Sequence, residues 1–312
     1  MKLGPGMSGV LRMAAGAAVL LVGLVLVLHF HENRDPAVQL AFRARRVDLV
    51  GQMQANLASA SEAEKSAVLA TTDQDSQTLA DQSRAASAKV DQERRELGEL
   101  MTEGGTEGER ESLAQFTAAF AEFRRIDDEL LALAVKNTNV KAYSEAFGPA
   151  ATAVEEMNAA LDRLVAANAD SPGAKAMMLL AFGAETSALR IQTLLPPHIA
   201  EQDDKKMDAL EALMATEDAA VHKSLEGLAA LPKLHKDPAL ATATARYAEF
   251  STLRTQILAL SRENSNVRSL SISLNQKRKV MLVCQDALSA LHQATLEEPI
   301  AGITYGAPVS PR

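Results

Sequence analysis

The chain has 312 residues, 57 of them alanine, with no Trp, three Tyr and eight Phe. That mixture excludes a β-sandwich or barrel, because aromatic and β-branched runs are missing while Ala, Leu, Glu, Gln, Arg and Met dominate. A formal charge of −8 and a pI near 5.4 leave no basic excess to attract a phosphate backbone, so no nucleic-acid partner is expected.

Residues 13–28 form a run without charge, preceded by Lys2 and Arg12. An uncleaved transmembrane anchor over roughly 9–30 is expected, within an N-terminal region 1–35; a cleaved signal peptide is the competing reading. HFHENRDPA follows without a small-x-small cleavage site, which favours the anchor. Lys2 and Arg12 favour a cytoplasmic N-terminus. The expected placement is therefore single-pass in a bacterial inner membrane, with the rest in the periplasm.

Four long helices are expected beyond the anchor, over about 36–101, 111–168, 172–231 and 239–295. The first carries Leu49, Met53, Leu57, Val68, Leu79, Val90 and Leu97 on an alanine-rich seam. TEGGTEGER at 102–110, ADSPG at 169–173 and LPKLHKDP at 231–238 mark the turns. Gly148-Pro149 and Pro196-Pro197 interrupt the second and third helices, and 298–312 reads as an irregular tail.

The sequence also repeats. FAEFRRIDDELLALAVKNTNVKA at 120–142 aligns without a gap to YAEFSTLRTQILALSRENSNVRS at 247–269, with nine of 23 positions identical. Upstream, LADQS at 79–83 pairs with IAEQD at 199–203. The expected fold class is all-α: an N-terminal transmembrane helix, then over 36–297 a long up-down-up-down four-helix bundle of two duplicated helical hairpins.

Residues 62–90 and 131–150, following an apolar N-terminal run, resemble the extracytoplasmic four-helix-bundle sensor region of methyl-accepting chemotaxis receptors. The similarity is clearest over 40–168. It implies a ligand-binding bundle outside the membrane, a homodimer, and a signalling output. The second span and cytoplasmic signalling region of that family are missing from the sequence, so the output is assigned to a separate membrane signalling partner.

Catalysis has little to work with. The six histidines never pair at i,i+3 or i,i+4, and there is no HExxH, CxxCH or P-loop. No enzyme activity, cofactor or metal is expected. His198 and His235 read as surface residues, Met157, Met177, Met178, Met207, Met214 and Met281 as core filler, and Cys284 as a small buried hydrophobe.

The asparagines differ. Asn137 and Asn139 recur in the repeat as Asn264 and Asn266, and a buried amide must be hydrogen-bonded. Equal counting along the expected helices brings Gln82 and Gln202 to the same height. These six residues are the candidate lining for a small-molecule ligand. In the plainer reading the amides bond only to one another and fix register; simple surface exposure is the third reading. At the level of function, a sensory or ligand-binding module stands against a structural bundle with no ligand.

Overall fold

The computed structural model describes residues 36–297, all in helices and the turns between them. The helices are α1 (Pro36–Leu69), α2 (Asp73–Gly104), α3 (Glu107–Ala134), α4 (Thr138–Phe147), α5 (Pro149–Ala167), α6 (Ala174–Ala200), α7 (Asp204–Ala230), α8 (Pro238–Glu263), α9 (Ser265–Ile272) and α10 (Arg278–Glu297). A π-helical turn, Ser273–Lys277, joins α9 to α10.

The expected all-helical class holds, but the arrangement needs two corrections. The anchor expected over 9–30 lies outside the described residues. Among the described residues no helix is long and apolar enough to cross a membrane. Even the most apolar, α6, carries Lys175, Glu185 and Arg190. The single-pass inner-membrane placement and the membrane-anchored fold class are withdrawn on that ground.

The second correction concerns connectivity. The helix expected over 36–101 is a hairpin that reverses at 70–72. Near the tip the Ser76 hydroxyl donates to the Ala67 carbonyl at 3.0 Å, and further along Asn56 Nδ2 donates to Glu93 Oε1 at 2.6 Å. The reversal comes from capping chemistry. The Asp75 N–H donates to Thr72 Oγ1 at 3.0 Å, and the Thr72 hydroxyl donates to Asp75 Oδ2 at 2.7 Å. The helix expected over 172–231 reverses likewise at 201–203, where Asp203 accepts from Lys205 N at 2.8 Å. Pro196 and Pro197 do not interrupt α6, which runs through both and ends at Ala200.

The repeat unit is therefore three helical runs. α1, α2 and the run α3–α5 recur as α6, α7 and the run α8–α10. Thr72 corresponds to Asp203, and buried Val50, Met53, Leu57, Val90 and Leu97 correspond to buried Ala181, Ala184, Ala188, Val221 and Leu228. LADQS lies inside α2 whereas IAEQD spans the 201–203 turn, so Gln82 is not the counterpart of Gln202.

The chain divides into two compact units. One comprises, of the described residues, 36–60, 85–123 and 280–297. Its core joins Leu49, Met53 and Leu57 of α1, Val90, Leu97 and Met101 of α2, Phe116, Phe120 and Phe123 of α3, and Cys284, Leu288 and Leu291 of α10. The other comprises 61–84 and 124–279. Its larger core comes from α4 with α5, α6, α7 and α8, and includes Met157, Leu161, Ile191, Leu195, Leu225, Tyr247 and Phe250. A smaller cluster holds Ala67, Val68, Ala80, Leu130, Leu131 and Ala134.

Candidate functional site

The polar layer lies in the second unit, where α3–α5 and α8–α10 each break. Asn137 has φ 51° and Asn264 φ 55°, both left-handed, so each run stops and restarts there. Asn tolerates this region better than other side-chain-bearing residues, which explains why the repeat places it at both breaks.

The two restarts clasp each other reciprocally. Asn139 N–H donates to Asn266 Oδ1 at 3.2 Å, and Asn266 N–H returns a bond to Asn139 Oδ1 at 3.1 Å. Thr138 N–H donates to Ser265 Oγ at 3.1 Å, and Ser265 N–H to Thr138 Oγ1 at 2.9 Å. Asn266 Nδ2 donates to Asn137 Oδ1 at 2.9 Å, and Asn139 Nδ2 to Asn264 Oδ1 at 2.8 Å. The orphan amides and hydroxyls at each helix start are thus satisfied by the other copy's side chains.

The outer amide hydrogens reach the hairpin tips. Asn137 Nδ2 donates to Asp73 Oδ1 at 3.2 Å, and Asn264 Nδ2 to the Glu201 carbonyl at 2.6 Å. Lys141 pairs with Asp73 at 2.8 Å and, with Asn137, holds that carboxyl below its ordinary range. Asn139 also donates to the Ile199 carbonyl at 2.7 Å. Asn137, Asn139 and Asn264 are buried and Asn266 half-buried.

The two glutamines are placed otherwise. Gln82 is exposed on α2 and takes no part in the layer. Gln202 is also exposed, but it lines a groove of about 600 Å³ beside the layer with Glu129, Leu133, Lys136, Arg268 and Ser271. Lys136 is ion-paired across the repeat to Glu263 at 2.6 Å.

His198, expected at the surface, is fully buried. Its Nδ1 lies 2.7 Å from Ser261 Oγ and its Nε2 2.8 Å from Glu211 Oε1. Arg262 Nε reaches the same Glu211 oxygen at 2.7 Å. Arg262 first, then His198, holds the Glu211 carboxyl below its usual range. The order serine, histidine, glutamate has the outline of a nucleophilic triad, yet Ser261 and His198 have no exposed surface through which a substrate could reach them. The corresponding residues of the first copy are Ala67, Ala80 and Ala134, which share one buried apolar cluster.

A second buried polar group joins the two copies elsewhere. Lys277 Nζ pairs with Asp127, which accepts from Ser83 Oγ at 3.2 Å. Glu64 is fully buried beside them, its carboxyl pushed up by burial against the opposing pull of Ser273 and Lys277. The π-helical turn carries Lys277. Neither network was legible in the sequence, because their members are far apart and follow no spacing rule. Among the described residues, no group of three or more His, Cys, Asp or Glu could hold a metal ion.

Residues 42–175 match a family described as a four helix bundle sensory module for signal transduction. No curated protein matches the chain. The match covers the region where the chemoreceptor resemblance is clearest. The matched module is described as sensory, with a part in signal transduction.

Proposed function

We propose that the protein is a helical sensory module whose input is a small polar ligand held in the groove beside the asparagine layer. The observation that carries this reading is the layer itself. In a chain whose residues 42–175 match a sensory module, two long helical runs are interrupted at one level and clasp each other by reciprocal hydrogen bonds. Two clasped breaks form an element with a small number of discrete arrangements, and a ligand that touches one arrangement better shifts the population toward it.

The groove supplies the contacts. Arg268, Lys136, Glu129 and Gln202 offer donors and acceptors from both runs and from the 201–203 turn, so a ligand there bridges the moving parts.

A second reading has its own support. The asparagines satisfy one another without any ligand, as a register device would. A thermal-shift screen of the full chain against small metabolites separates the two. A sensory module gives a compound whose stabilisation is lost in Arg268→Ala and Gln202→Ala while the unliganded melting point is retained. A chain stabilised by no compound is a structural bundle.

A further inference from the structure

We propose that the outward face of α6 around Phe182 is a self-association surface, through which two copies of this chain pack α6 against α6 in antiparallel. Met178, Leu179, Phe182 and Leu189 are 53%, 65%, 68% and 46% exposed. Their spacing places them on one stripe of the helix, where solvent contact with side chains of this size is unfavourable.

The repeat shows that the helix pair does not require this stripe. The positions of the first copy that correspond to these four are Val47, Asp48, Gly51 and Ala58, and Asp48 is ion-paired with Arg45 at 2.8 Å. Between them, buried Val50, Met53 and Leu57 correspond to buried Ala181, Ala184 and Ala188, so the comparison is in register. The second copy alone has replaced a solvated face by a large apolar one.

Charge identifies the occupant as another copy of the same helix. Lys175 precedes the stripe and Glu185 sits within it. Neither is in an ion pair among the described residues; burial and the nearby Asp162 push the Glu185 carboxyl up, the direction expected where a counter-cation is lacking. In antiparallel helices crossing at Leu180, Lys175 of one copy faces Glu185 of the other, twice by symmetry, and Met178 faces Phe182. A contact limited to one helix face is smaller than the roughly 1,200 Å² of a stable interface, so the association is weak and reversible. This inference goes beyond the sensory reading and does not rest on it.

Sedimentation equilibrium of the full chain over a concentration series tests it. Phe182→Asp, at an exposed position that leaves the helical circular dichroism unchanged, lowers the association constant by about tenfold or more. Lys175→Glu and Glu185→Lys each weaken association, and the double variant restores it because the two symmetric pairs are exchanged. Association equal in wild type and Phe182→Asp, or a chain that stays monomeric throughout the series, overturns the surface. A double variant no stronger than either single overturns the antiparallel register.

Discussion

A left-handed residue inside a helical run is costly unless its side chain compensates, and Asn137 and Asn264 do so through their amides. Replacing Asn264 by Ala keeps the strained backbone, at about 1–2 kcal/mol. It also removes one of the two acceptors of Asn139 Nδ2 and the amide donor to the Glu201 carbonyl. Asn264→Gly relieves the backbone but loses the same bonds, so urea denaturation should rank wild type above Gly and Gly above Ala. The buried Glu64 gives a second expectation. Its folded-state carboxyl keeps its proton to a higher pH than the ordinary value of 4.5. The folded state therefore binds more protons than the unfolded chain in the interval between, and stability falls as pH rises through it. Glu64→Gln removes that loss, so the variant's melting temperature exceeds wild type above the interval and the difference shrinks as pH falls below it.

At the level of elements, the turns near 105, 171 and 234 were readable because Gly and Pro mark them. Those at 70–72 and 201–203 were not, because ATTDQD and AEQDDK contain neither residue. Their signal is the cap: Thr72 three residues before Asp75, and Asp203 ahead of Lys205. The same Thr-x-x-acid spacing recurs at Thr106 and Glu109, where Thr106 N–H donates to Glu109 Oε2 at 2.8 Å and the buried Arg46 pairs with Glu109 at 3.2 Å. Thr72→Ala should cost about 1 kcal/mol in denaturant titrations, the usual loss of an N-cap. The repeated asparagines were legible because Asn is out of place in a helix interior. Gln82 falls outside the layer because counting along an unbroken helix fails once the helix turns back on itself.

Across the whole chain, duplication produced two versions of one plan with different buried chemistry. Where the first copy has Ala67, Ala80 and Ala134, the second has His198, Glu211 and Ser261. His198→Ala alone leaves Ser261 buried without its imidazole partner and Glu211 with one bond fewer, so it should be strongly destabilising. Converting all three to Ala should cost less than the sum of the singles, a non-additivity that a mutant cycle by chemical denaturation measures. The division into units carries one more consequence, and it concerns synthesis. The unit built on Phe116, Phe120 and Phe123 takes its fourth wall from residues 280–297, almost the last described part of the chain. A ribosome releasing the protein completes 61–84 and 124–279 first, while those phenylalanines wait for α10. A nascent chain arrested before residue 280 should bind a hydrophobic dye or a chaperone at that open face and lose the affinity once α10 emerges.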